Sequence, residues 1–280
     1  IDLTNQYAKS DDSELKKIGS QNVGPENYDI LSKNPYLIKD NLLLDDSNVA
    51  VKELEYLKKA GGKTVVELTS IGIGRKPVQL KEISTKAGIN VILGSSYYTQ
   101  DTHPDDIKKL SVEKIAEQIV KDITVGVDGT NIKAGVIGEI GTSSPVHKNE
   151  KKVLQASALA HKKTKAPIQV HTYPWGETAF DILEILLEYV EPEKIVICHT
   201  DVPLDLEYIM DIMDEDVFIE FDNFGKEFST SETEKGFAGG RFASDLERVK
   251  ALFMLVDKGY EDQILISNDI CLKQLLHNYG

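Results

Sequence analysis

Apolar and polar residues follow two alternating periods along most of this chain. Over residues 46–60, Val49, Val51, Leu54, Leu57 and Ala60 recur at roughly helical spacing, and Gly61-Gly62 supplies a stop. Thr64-Val65-Val66-Glu67-Leu68 follows at once and reads as a short buried strand. The alternation then repeats. It predicts strands at 90–95, 134–140, 167–171, 194–199, 217–221 and 263–266, and helices at 112–122, 151–163, 179–189, 204–213 and 243–257. Continuous apolar strands interleaved with amphipathic helices specify an α/β fold with a parallel sheet, because each parallel crossover lays a helix over the sheet and buries it.

The ends of these strands separate a barrel from an open sheet. Glu67, Glu139, His171, His199, Asp222 and Asp269 stand at or just beyond the C-terminal ends of several different strands. A (β/α)8 TIM barrel builds its site from all its strand ends on one face, whereas an open doubly wound sheet has one crevice at its switch point. Gly72-Ile73-Gly74 lacks the third glycine and the strand-to-helix setting of a dinucleotide fingerprint, so no phosphate loop of a standard kind competes with the barrel. The count is one strand short of eight. Ile1-Asp2-Leu3 is the only candidate for the end of the first strand, and little chain follows Asp269 to form a closing helix. The expectation is a single barrel domain over 1–280 that lacks most of strand 1 and the closing helix in this chain, which thus begins and ends inside its domain; a seven-stranded barrel variant is the alternative. The polar stretch between Leu3 and Leu42 reads as a long loop on the active-site face.

Composition narrows the partners. A formal charge of −14 repels nucleic-acid phosphates and anionic lipid, so neither is expected as a partner. No apolar run approaches the roughly 20 residues of a membrane-spanning helix, and Ile1 does not open a secretory signal. Cys198 and Cys271 are too few for a disulfide framework. These readings together predict a cytoplasmic protein acting on a small molecule, with a homodimer allowed.

Glu139, His171 and His199 close three successive strands, and Asp269 closes one two strands further on. Side chains so placed converge over a barrel mouth, where imidazole and carboxylate donors suit zinc or a similar divalent ion. His103, His147, His161 and His277 have loop, helix-end or polar settings and are expected to be solvated. Cys198 precedes His199 in a strand and is expected to point the other way, toward the helices. Cys271 could lie near the site, but it has no paired base in sequence to make it a nucleophile.

At these residues the chain resembles the phosphotriesterase-related branch of the amidohydrolase superfamily. The segments that carry the resemblance are Thr64-Val65-Val66-Glu67-Leu68 followed by Ile73-Gly74-Arg75, Ala134 through Thr142, His171-Thr172, Val196 through Asp201, Phe221-Asp222 with Gly225-Lys226, and Ser267-Asn268-Asp269. The resemblance implies two divalent metals, zinc first and manganese or cobalt next. His171 and His199 would bind one, Asp269 the other, and Glu139 would bridge them. The family's first-strand His-x-His pair has no counterpart here, and it would precede Ile1. Glutamate in place of the carboxylated lysine of phosphotriesterases proper argues against organophosphate hydrolysis and toward a glutamate-bridged, lactonase-like subgroup. Asp269 would take a proton from an ion-activated water, and Tyr98 would hydrogen-bond the substrate carbonyl. Lys226, Arg241 and Lys273 follow the last two strands, where barrels often hold a phosphate. The expected activity is therefore hydrolysis of a sugar lactone, phosphorylated or not. A phosphoester or amide hydrolase, or a catalytically silent ligand-binding barrel, is the alternative.

Overall fold

The computed structural model describes residues 1–228 and 240–280. Among these residues seven strands pair in parallel and in chain order: β1 Thr64–Glu67, β2 Asn90–Gly94, β3 Ala134–Gly141, β4 Ile168–His171, β5 Ile195–Ile197, β6 Phe218–Phe221 and β7 Ile264–Ile266. The sheet curls into a half-barrel of the TIM type. Its nine α-helices among the described residues are α1 Ser13–Gly19, α2 Tyr28–Leu31, α3 Ser47–Lys59, α4 Pro77–Ala87, α5 Val112–Thr124, α6 Lys148–Thr164, α7 Ala179–Leu186, α8 Leu206–Met213 and α9 Asp245–Asp257. None is long and apolar enough to cross a membrane.

Alternation along the strands decides what reaches the site. Ile168 and Val170 of β4, Ile195 and Ile197 of β5, and Ile219 and Phe221 of β6 are buried and pack with Ile119 of α5, Leu154 of α6, Leu186 of α7 and Ile212 of α8. The intervening Gln169, His171 and Glu220 therefore project to the other face of the sheet. In β3 the pairing slips: Ile137 lies beside Ile168, but Ile140 lies beside Val170. Three residues on β3 thus span two on β4, and a bulge of this kind re-aims side chains. It leaves Ile137 and Ile140 both in the core and turns Glu139 toward His199.

Two parts of the chain differ from the sequence expectation. Ile1-Asp2-Leu3 is not a strand of this sheet: Asp2 forms an isolated antiparallel bridge to Leu43 and donates its amide to the Ile73 carbonyl at 2.8 Å. Among the described residues no strand joins β7 to β1, and the edge residues Val66 and Ile266 stay exposed. The stretch read as one long loop carries α1 and α2. Asp12 starts α1 by accepting from the amides of Glu14 and Leu15 at 2.8 and 3.0 Å, a local cap that needs no apolar periodicity. Leu3, Tyr36 and Leu42 of this region pack with Ile73, Tyr98, Phe228, Phe242 and Leu272 in a second apolar cluster.

Candidate active site

Strand ends bring Glu139, His171 and His199 together. The His199 Nε2 lies 3.2 Å from Glu139 Oε1 and 2.8 Å from His171 Nδ1, and His171 Nδ1 lies 3.9 Å from the same carboxylate. One ligand atom from each of the three falls within 4.8 Å of the other two. The Tyr98 hydroxyl completes the cluster at 3.1 Å from His171 Nδ1. All four are largely removed from solvent.

That burial sets the protonation of the two rings in opposite directions. Burial, reinforced by the neighbouring His199 and Lys226 charges, holds His171 well below the ordinary histidine range, so it is neutral near pH 7. Burial also acts against a charge on His199, but Asp222 and Glu139 outweigh it and hold its ring well above that range. Burial raises Glu139, and His199 partly offsets the effect. Burial and the charges of Glu139 and Asp269 also keep the Tyr98 phenol protonated well beyond its usual range. Two imidazoles and a carboxylate facing one another at these distances form a donor set suited to a divalent transition ion. An ion there would replace the proton that His199 otherwise carries.

His199 is oriented from behind. Its Nδ1 lies 2.9 Å from Asp222 Oδ2 and 3.0 Å from Oδ1, and its amide also donates to Asp222 at 3.0 Å. A carboxylate on the far nitrogen fixes the tautomer and aims Nε2 into the site. Asp222 had shown in the sequence as a polar strand-end residue but without a role. The sequence signal was its position directly after the apolar run of β6.

The expected direction of Cys198 is corrected by the structure. Its thiol donates to Glu220 at 3.4 Å, on the site side of the sheet, and not toward the helices. His199 adopts φ of +63°, so strict strand alternation ends before it and both neighbours reach inward. Glu220 also accepts from Gln169 and, at 2.8 Å, from Ser267. Although Cys198, Glu220 and Asp222 could together hold an ion, Glu220 already has three donors and serves as a hydrogen-bonded floor. His161 is likewise corrected: it is fully buried, within 2.8 Å of both the Ala166 carbonyl and Glu191. His103 is half-buried against the Tyr98 carbonyl at 2.6 Å, whereas His277 is exposed as expected.

The remaining sequence candidates separate. Asp269 pairs with Lys226, which is itself buried, and Cys271 lies 3.6 Å from that carboxylate. Burial opposes the Lys226 charge, yet Asp269 more than compensates and keeps the ammonium charged. Burial and Asp269 push the Cys271 thiol up to about 12, which removes it as a nucleophile near neutral pH. Arg241 is 65% exposed at its side chain and bound to Glu247, while Lys273 is held by Asp40 at 2.6 Å. The structure therefore brings only Lys226 of the three cations to Asp269.

Comparison with known proteins agrees with this architecture. The model of the phosphotriesterase family matches residues 20–280. An N-acetyltaurine hydrolase of Danio rerio is 39% identical over 89% of this chain and 72% of its own length. The crystal structure of a resiniferatoxin-binding protein from Rhodobacter sphaeroides superposes with a TM-score of 0.95 at 33% identity, over all of this chain and 77% of that one. A lactonase from Listeria monocytogenes gives a TM-score of 0.75 at 28% identity over 86% of this chain and 74% of its own. Family match, half-barrel and convergent strand-end donors agree, and the chain belongs to the phosphotriesterase family of hydrolases.

Proposed function

We propose that this protein is a metal-dependent hydrolase that cleaves the amide of a small N-acyl amino sulfonate of the N-acetyltaurine kind. The observation that carries the hydrolase reading is the gathering of one ligand atom each from Glu139, His171 and His199 within 4.8 Å of one another, with Asp269 held by Lys226 beside Cys271. The substrate reading is supported by the Danio rerio relative and by a buried cation, Lys226, that suits a sulfonate.

His171, His199 and Glu139 would hold an ion, with Asp269 as a ligand to a second. When bound, such ions supply Lewis-acid polarisation of the substrate carbonyl and acidify water. The protein's own residues do the rest. Asp269, a third of whose side chain is exposed, accepts the proton of the attacking water and returns it to the departing nitrogen, so that a carboxylate and an amine leave. Lys226 pairs with Asp269 and offers its remaining N–H donors to the sulfonate. The Tyr98 hydroxyl, held beside His171, donates to the carbonyl oxygen as negative charge gathers there. Asp222 keeps His199 from turning.

Hydrolysis of a sugar lactone is the second reading, favoured by the Listeria monocytogenes lactonase; the same proton transfer from water to a leaving oxygen would serve it. Its phosphorylated form would need Arg241 and Lys273 to leave their present carboxylates. The deciding experiment offers zinc-loaded protein N-acetyltaurine and, separately, a panel of sugar lactones. Taurine release with a kcat/KM at least tenfold above any lactone supports the amide reading. The reverse order supports the lactone, and turnover of neither overturns both.

A further inference from the structure

The largest fully buried side chain described in this protein is Arg248, a charged residue on α9. A guanidinium without solvent is destabilising unless its donors are matched by acceptors, so its partners show its purpose. Nε lies 2.8 Å from Asp201 as an ion pair outside hydrogen-bonding geometry, NH1 donates to Asp245 at 2.9 Å, and NH2 donates to the Lys226 carbonyl at 3.1 Å. The guanidinium also sits over the Phe224 ring at 6.0 Å. Three of these four partners belong to the loops after β5 and β6, which carry the site.

Two branches leave Arg248. On one, Asp201 accepts from the Asn223 amide at 2.9 Å and from its Nδ2 at 2.7 Å; Asn223 Nδ2 also donates to Asp222 at 2.6 Å, and Asp222 holds His199. On the other, the Lys226 backbone is fixed, and its ammonium pairs with Asp269. The two branches end on different strand-end residues, one that would hold the ion and one that would move the proton.

We infer that Arg248 is a positioning residue that fixes His199 and Asp269 relative to each other, through Asp201-Asn223-Asp222 on one side and Lys226 on the other. The inference rests on the hydrolase reading above for its effect on turnover, and on the residues alone for its effect on the site. A planar fork with several fixed donors can brace two loops at once, which a lysine ammonium on a flexible stem cannot.

The test compares wild type, Arg248→Ala and Asn223→Ala, each loaded with cobalt(II). Chelator competition gives the cobalt affinity, the visible spectrum reports the donor geometry, and N-acetyltaurine turnover gives kcat and KM. Loss of a group that contacts a metal ligand directly costs about 10- to 100-fold in metal affinity or activity, which bounds the loss expected from Arg248, three residues removed from His199. Arg248→Ala should show a loss within that bound in cobalt affinity and in kcat, with a changed spectrum and little change in KM. Millimolar guanidinium should restore part of both, where sodium chloride at the same ionic strength does not. A folded Arg248→Ala protein with the wild-type spectrum and affinity overturns the inference, as does recovery by sodium chloride alone. Should Arg248→Ala fail to fold, Asn223→Ala cuts one branch only, and an unchanged spectrum and affinity there overturns it equally. Wild-type protein that binds cobalt but hydrolyses neither amide nor lactone sinks the functional reading, while the spectra and affinities still decide the role of Arg248.

Discussion

Asp222 grips His199 at two points, the ring Nδ1 at 2.9 Å and the backbone amide at 3.0 Å, and so leaves only Nε2 to face Glu139. Both contacts come from one carboxylate directly beyond β6. Asp222→Asn keeps the size but removes the charge that steadies the ring. Zinc affinity is expected to fall about 10- to 100-fold, read by chelator competition, with circular dichroism unchanged. Wild-type affinity in a folded variant would contradict the role given to Asp222.

Removing the donors themselves should act more strongly than removing their support. His199→Ala and Glu139→Gln each delete one member of the cluster, so elemental analysis of protein purified with zinc should find less than the wild-type content in both. Full metal content in either variant would place the ion elsewhere.

Asp269→Asn separates chemistry from scaffold. The amide can still accept a hydrogen bond from Lys226, but it cannot take the proton of a water. Turnover should fall by the general-base factor of about 10² to 10⁴ while the fold persists. Metal content is measured beside it, because Asp269 is also proposed as a ligand. Unchanged turnover removes Asp269 from the mechanism.

Lys226 and Arg241 differ in setting and should differ in effect. Lys226 is buried against Asp269, whereas Arg241 is mostly exposed and engaged by Glu247. Lys226→Met should lower kcat/KM for N-acetyltaurine by about 1.5 to 3 kcal/mol, the range for a lost charge-assisted hydrogen bond. Arg241→Met should change it less than threefold. If instead Arg241→Met selectively impairs a phosphorylated lactone, the three-cation arrangement expected from the sequence forms when substrate binds.

Acid stability carries a signature outside the site. Glu191 bonds His161, accepts near a backbone amide and pairs with Lys165, which lowers its carboxyl to about 2. A carboxyl lowered on folding stabilises the native state above its unfolded value of about 4.3, and that contribution fades as pH falls through the folded value. Wild type should therefore be more stable than Glu191→Gln at pH 6, with the gap closing between about pH 4.5 and 2. Thermal melts across that range give the check, and a gap that does not change with pH would contradict it.

The parallel sheet was legible in the sequence because each βα unit carries its own instruction: an apolar run of strand length followed by a helical period. All seven strands lie where that pattern put them, and the convergence of Glu139, His171 and His199 follows from it, since parallel strands end on the same side. Helix α4 could have been found the same way, from Pro77 at its first turn and Gly88 at φ of +66° beyond its end. What the sequence could not decide depends on contacts between units. The bulge that turns Glu139 inward exists only in the pairing of β3 with β4. The direction of Cys198 depends on a left-handed His199 backbone held by Asp222, a residue one strand away. Whether Lys226, Arg241 and Lys273 share a ligand or each takes a private carboxylate depends on which acids the folded loops place beside them. Arg248 reads in the sequence as one more charge on an amphipathic helix; only packing put it where no water reaches, and a buried charge must then find partners, here the Asp245 carboxylate and the Lys226 carbonyl as acceptors and Asp201 as a counter-charge.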